Sequence, residues 1–138
     1  MMREKFLNKS AGTDMKIEIH KETERGDIFT LLEDVTVQFN DKIVTVPAGF
    51  QSDGASVPEF LWDSVSPKID QRTLRGAVVH DYLYRTANEQ WTRKEADEFF
   101  YRLIREDGLN WWRAQKAYWG VRLFGSSAWC ERVEVCDE

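Results

Sequence analysis

His80 and Asp81 stand side by side in AVVHDYLYR, residues 77–85, in the middle of an apolar run with helical spacing. Removing such groups from water is costly unless each finds a partner, so they are either satisfied core residues or groups that perform chemistry. A histidine oriented by a buried carboxylate can take a proton from water. An aspartate beside it can hold a hard cation that polarises the bond to be broken. Asp97, in ADEFF (residues 96–100), is the carboxylate placed to orient His80. Tyr84 follows His80 by four residues and shares its helix face, whereas Asp81 lies about 100° around the axis.

For a cation, Asp81 would be one ligand, and oxygens of the loop GFQSDGAS (residues 49–56) could complete the shell, because Gly49 and Gly54 let backbone carbonyls turn inward. Asp53 in that loop is the second candidate ligand. It could equally pair with Arg75 or Arg93, or stabilise its own turn. Calcium or magnesium suits such oxygen donors, while a single histidine among carboxylates is a poor match to zinc. Ser56 is not read as a nucleophile, since GASVP lacks the second glycine of a Gly-x-Ser-x-Gly elbow; with Glu59 three residues on, it reads as a capping box. A plain reading of His80, Tyr84 and Asp97 stands beside the chemical one: a buried structural network between two helices.

The elements that must position these groups follow from local pattern. Residues 1–14 read as a loose leader, 15–125 as one α+β domain and 126–138 as a C-terminal tail. MKIEIH, DIFTLL, DVTVQF and KIVTVPAG are short β-branched runs broken by ERGD and FND, which predicts a small, mostly antiparallel sheet. After Pro58 the period changes to that of helices. The first spans about 71–85, with Leu74, Ala77, Val78, Leu83 and Tyr84 as its apolar positions and Asp70 as N-cap. The second opens on the capping box Thr92/Glu95 and runs to about residue 107, before Gly108. The third starts after Asn110 and runs to about residue 124, stopped by Gly125.

A loop of six or seven residues joins the first two helices, so they are expected to run antiparallel as neighbours. His80 then lies five residues before the shared end and Asp97 about four after it, which at 1.5 Å per residue puts both roughly 6 to 8 Å deep. With their faces turned together, Asp97 accepts a hydrogen bond from one ring nitrogen of His80 and leaves the other as a base facing an open cleft.

The third helix, within NWWRAQKAYWGVRLFG, carries Trp111, Trp112, Tyr118, Trp119 and Phe124 interleaved with Arg113, Lys116 and Arg122. Ala114, Ala117, Val121 and Phe124 recur at helical spacing, which predicts packing on the core; a lipid interface or partner surface is the alternative. His20, alone in a strand, reads as a surface residue.

The 138 residues suit a single domain with one hydrophobic core. Charged residues are 31% and apolar ones 42%, neither a disordered nor a membrane-spanning composition. A net charge of −5 provides no long-range attraction for phosphate backbones, so no nucleic acid is expected as partner. No apolar run approaches the ~18 residues of a transmembrane segment. MMREKFLNKSAGTD lacks the features of a secretory signal, which points to a cytoplasm, where Cys130 and Cys136 are expected as reduced thiols.

Together VPAGFQSDGASVP, AVVHDYLYR, TRKEADEFFYRLI and VRLFG resemble a family of small proteins of unknown function encoded by tailed bacteriophages, prophages and bacteria, over about residues 43–125. The resemblance implies phage or prophage origin, with residence in a host bacterial cytoplasm or in the virion, and no established activity. HDYLY followed by ADEFF is also similar to the His-Asp-x-x-Tyr and Ala-Asp-x-x-Phe motifs of phospholipases A2. That likeness implies His80 as general base, Asp81 as calcium ligand, Asp97 as orienting carboxylate and Tyr84 as its hydrogen-bond partner. The calcium loop and cysteine framework of the secreted enzymes are absent from this sequence. The resulting expectation is a phage-type hydrolase acting on a lipid ester or an envelope component. The alternative is a non-enzymatic virion, tail or accessory protein that binds a phage or host protein.

Overall fold

The structure, a computed structural model, describes residues 3–10, 13–23, 26–52, 71–86, 90–126 and 129. Among the described residues six strands precede three helices, an α+β arrangement. Strands β1 (Arg3–Ser10), β2 (Thr13–Thr23), β3 (Gly26–Leu31) and β6 (Gln51–Ser52) form an antiparallel sheet in the order β1-β2-β3-β6, and β4 (Val35–Phe39) pairs with β5 (Lys42–Val46) in a separate hairpin. In the hairpin Val35, Val37, Val44 and Val46 are buried while Thr36, Gln38, Ile43 and Thr45 are exposed. This is the two-residue alternation of a sheet with one covered face. Asn40 turns the hairpin at φ 56°, a conformation asparagine tolerates better than most residues.

The described strands agree with the expected small, mostly antiparallel sheet ahead of three helices, and one expectation is corrected. The stretch read as a loose leader contains β1, which pairs with β2 from Arg3 opposite His20 to Ser10 opposite Thr13. REKFLNKS has no β-branched run to announce a strand, and its extended form comes with the pairing to β2. The antiparallel strands are divided between two sheets, because the chain bends at Leu32 and Glu33 and β6, not β4, hydrogen-bonds to β3. Gly49, at φ 89°, makes the return possible: its N–H donates to the Leu31 carbonyl at 2.8 Å and Leu31 N–H donates to the Phe50 carbonyl at 3.0 Å.

The helices are α1 (Gln71–Thr86), α2 (Arg93–Glu106) and α3 (Trp111–Phe124). Thr92 caps α2 in a full capping box with Glu95, and the Asn110 side chain caps α3 by accepting from Arg113 N–H at 2.9 Å. Past α2, Gly108 at φ 98° lets Leu109 N–H reach the Ile104 carbonyl at 3.0 Å while its own N–H reaches Arg105 at 3.1 Å, the paired bonds of a Schellman motif. The proposed caps Asp70 and Ser56, with Glu59, lie outside the described residues.

Contacts between α1 and α2 run in opposite senses along the two helices: Arg75 meets Glu106 and Asp107, Gly76 meets Phe100 and Ile104, and His80 meets Asp97. The pair is therefore antiparallel, with Leu74, Ala77, Val78, Leu83 and Tyr84 buried as expected. Their core is continuous with Ile17, Phe29, Leu31 and the valines of the hairpin. Phe39 stacks on Phe99 at 5.0 Å, Trp91 stacks on Phe99 at 5.6 Å, and Lys42 bridges to Glu95 at 2.8 Å, so the hairpin is tied to the start of α2.

Gly76 sets how closely the two helices approach. A Cβ there would meet Ile104 Cγ2 at 2.8 Å, Phe100 Cδ1 at 3.2 Å and the Phe100 carbonyl at 3.3 Å. Gly76→Ala gains about 1 kcal/mol of helix propensity but adds an overpacking cost of about 1–3 kcal/mol. The variant is expected to unfold at lower urea concentration than wild type; an unchanged or higher midpoint would show that Ile104 gives way freely.

Candidate functional site

Because Thr92 fixes where α2 begins, Asp97 enters the helix interface in its second turn, level with His80 on α1. His80 Nε2 lies 2.7 Å from Asp97 Oδ1, and the Tyr84 hydroxyl, one turn along α1, donates to the same oxygen at 2.6 Å. Asp97 Oδ2 accepts from Arg122 Nη1 at 2.9 Å and has Arg93 Nη1 at 3.7 Å. Arg93 also donates to the carbonyls of Val121 and Arg122, so it closes the last turn of α3 while facing the carboxylate. One carboxylate thus gathers groups from three helices.

The electrostatics follow from burial and these partners. Burial by itself pushes the Asp97 carboxyl up, but the hydrogen bonds and charges offered by His80, Tyr84 and Arg122 outweigh it and hold the group below the usual carboxylate range. An ionised carboxylate only accepts, so the His80 nitrogen facing it carries the proton. Burial, and then the Asp97 charge, hold the Tyr84 hydroxyl well above the usual tyrosine range, so it remains a donor. The His80 ring also lies 4.1 Å from the Tyr84 ring and 5.0 Å from Phe100, and it makes a further interaction besides these.

The juxtaposition of His80, Tyr84 and Asp97 is the one expected from their spacing. The open cleft is not: His80 and Asp97 are 0% exposed and Tyr84 1%. A cleft of about 270 Å³ does lie between α2 and α3, but it is lined by Glu98, Tyr101, Gln115, Tyr118 and Trp119, none of which belongs to the cluster. Burial was invisible locally because it depends on what the rest of the chain lays over the interface.

Asp81 points elsewhere on α1, is buried, and is met by Arg85 Nη2 at 3.0 Å. Arg85 Nη1 in turn donates to the Gln51 carbonyl at 2.7 Å. The guanidinium is therefore an ion-pair partner of Asp81 and a hydrogen-bond donor to the β6 backbone. Among the described residues no group of three or more His, Cys, Asp or Glu is arranged to hold a metal ion. Of the two candidate ligands the described residues include Asp81, while Asp53 lies outside them, as do Gly54, Cys130 and Cys136. Arg75, almost fully buried, forms two bonds to Asp107 at 3.0 and 3.1 Å, and Arg93 faces Asp97.

Arg93 and Arg122 are the cluster members that the motif reading missed. Arg93 had a local signal, since it precedes Asp97 by four residues on one helix face. Arg122 had none, because only the packing of α3 brings it to Asp97. The third helix also departs from expectation. Ala114, Ala117 and Val121 are buried, but Phe124 is 72% exposed instead of packing with them. At the helix end its position is decided by the turn at Gly125, where a Cβ would come within 2.5 Å of the Val121 carbonyl and 2.8 Å of the Tyr84 hydroxyl.

The cluster makes stability depend on pH in a stated direction. Since the folded protein holds Asp97 below its unfolded value of about 3.9, the unfolded chain takes up this proton first on acidification. The contribution is whole above about pH 4 and is lost as the pH falls through the folded-state value. Urea midpoints measured from pH 6 downward are expected to fall less steeply for Asp97→Asn than for wild type; parallel curves would mean that Asp97 is not a coupled group.

The family described as "Protein of unknown function (DUF1353)" matches residues 29–121, a span that includes the hairpin, α1, α2 and most of α3. "Uncharacterized protein y4jT" of Sinorhizobium fredii (strain NBRC 101917 / NGR234) is 31% identical over 93 residues, which are 67% of this chain and 27% of that relative. The chain spans about a quarter of the length of this relative. No solved structure matches.

Proposed function

The chain belongs to the DUF1353 family of proteins of unknown function, so its chemistry has to be argued from its own side chains, and we propose that it is a hydrolase-like domain with His80 as general base. The observation that carries this reading is the 2.7 Å contact of His80 Nε2 with an Asp97 carboxylate itself held by Tyr84 and Arg122. A base must be oriented and its charge, once formed, must be compensated; Asp97 does both. In this reading the helix interface opens to admit water and ester; the ring nitrogen turned away from Asp97 then takes a proton from water as that water attacks the ester carbonyl, and returns it to the leaving alkoxide as the C–O bond breaks. The likeness of HDYLY and ADEFF to phospholipases A2 supports a lipid ester as substrate, with an envelope component as the other candidate. The motif set supports a phage or prophage origin, and action in the host bacterial cytoplasm or from the virion.

The complete burial of His80, Tyr84 and Asp97 favours a second reading, a non-enzymatic virion, tail or accessory protein in which the cluster ties three helices together. Hydrolysis decides between the two. Purified protein is incubated with phospholipid vesicles and, separately, with bacterial envelope fractions, and released fatty acid or soluble fragments are measured for wild type and His80→Gln. Product from wild type but not from the variant supports the catalytic reading, and product from neither overturns it. The cation question is separate: a native-state ligand raises the melting temperature with its concentration. A calcium- or magnesium-dependent rise that Asp81→Asn abolishes would support Asp81 as ligand, and no rise in either ion would remove the metal.

A further inference from the structure

Helix α3 packs with its small residues inward and its large ones outward. Ala114, Ala117, Gly120 and Val121 are buried, while Trp111, Trp112, Trp119, Leu123 and Phe124 are all at least half exposed. At 100° per residue, Trp112, Trp119 and Leu123 fall within an arc of about 40° and form a stripe roughly 16 Å long. Trp111 and Phe124 extend the apolar surface at the two ends. An apolar face of this length left in water, with a polar residue set into it, marks an interaction site.

Charge selects the partner. The chain carries a net −5, yet residues 110–125 contain Arg113, Lys116 and Arg122 and no acidic residue. Lys116 is exposed on the same side of the helix as the stripe, Arg122 is held by Asp97, and Glu98 faces the cleft beside Trp119 from α2. Tryptophan and leucine on one face with basic residues alongside is the composition that settles in the headgroup layer of a membrane, and local positive charge favours anionic lipid. Two copies of this face, pressed together, would instead bring their Lys116 ammonium groups into one apolar contact. The helix has 14 residues, and no described helix is long and apolar enough to cross a membrane, so contact would be with the surface.

We propose that the outer face of α3 is a docking surface for an anionic lipid bilayer, with Trp112, Trp119 and Leu123 entering the headgroup layer and Lys116 meeting lipid phosphate. The inference stands on this exposed stripe and its charge, and holds whether or not His80 is a base. Its test is co-sedimentation with phosphatidylglycerol vesicles and with phosphatidylcholine vesicles, together with tryptophan emission. Wild type is expected to sediment with phosphatidylglycerol, with emission shifted to the blue, and to bind phosphatidylcholine at least tenfold more weakly. Trp112→Ser/Trp119→Ser is expected to weaken phosphatidylglycerol binding at least tenfold with the melting temperature retained. Should the double variant melt early, Lys116→Glu serves in its place, with the same loss expected. No association with phosphatidylglycerol, equal association with both lipids, or association unchanged in the variants overturns the proposal. So does a dimer seen by light scattering that the double variant dissolves while vesicles are left unbound, which would give the face to a second copy of the chain.

Discussion

Asp97→Ala is expected to cost about 3–5 kcal/mol of folding stability, the range found when one partner of a buried charge pair is removed. The substitution would leave the guanidiniums of Arg93 and Arg122 without their common carboxylate, and the Tyr84 hydroxyl and the His80 N–H without their acceptor. A buried donor stripped of its partner incurs its full desolvation cost, which is why the loss exceeds that of an ordinary hydrogen bond. Asp97→Asn keeps one accepting oxygen but turns an NH2 group toward either the arginines or the histidine, so it recovers only part. Urea unfolding of wild type, both variants, Tyr84→Phe and the Tyr84→Phe/Asp97→Ala pair measures this. The cycle should yield a coupling of about 0.5–3 kcal/mol. A cost under about 1 kcal/mol for Asp97→Ala, far below the buried-pair range, would show that the cluster does not tie the helices.

His80→Gln is expected to lower hydrolysis by about 10²–10⁴-fold, the usual contribution of a positioned general base, while costing less stability than Asp97→Ala. Glutamine can still donate to Asp97 Oδ1 from a side chain of similar reach, so Arg93, Arg122 and Tyr84 keep their partner. The amide cannot accept a proton at neutral pH, so the chemical function is removed and most of the tie is kept. Activity within a few fold of wild type, beside a large fall in melting temperature, would assign His80 to structure alone. The two substitutions therefore separate roles that a single loss of function would confuse: Asp97 is read by folding energy, His80 by turnover.

The local features were legible because their causes are local. Thr92 with Glu95, Asn110 and Gly108 carry their cap chemistry in adjacent residues, and they bound α2 and α3 within a residue or so of the expected ends. From those bounds and the rise per residue, the equal depth of His80 and Asp97 followed, and the 2.7 Å contact agrees with it. Tyr84 was legible for the same reason, one turn from His80 on one face.

What escaped the sequence depends on which surfaces are covered. β1 is a strand because β2 lies beside it, not because of its own residues. Helix α3 carries apolar residues on every side, so periodicity could name Ala114 and Val121 as core but could not tell that the tryptophans and Phe124 would be left outside. Arg122 reaches Asp97 from a third helix, and His80 loses its cleft because neighbouring elements close over it. The sequence by itself determined the α+β order, the helix ends and the shared level of the imidazole and the carboxylate, since caps and spacing act over a few residues. Tertiary structure alone decided burial, the arginine partners and the exposed aromatic face. Those are set by contacts between segments far apart in the chain, whose energies no short stretch contains.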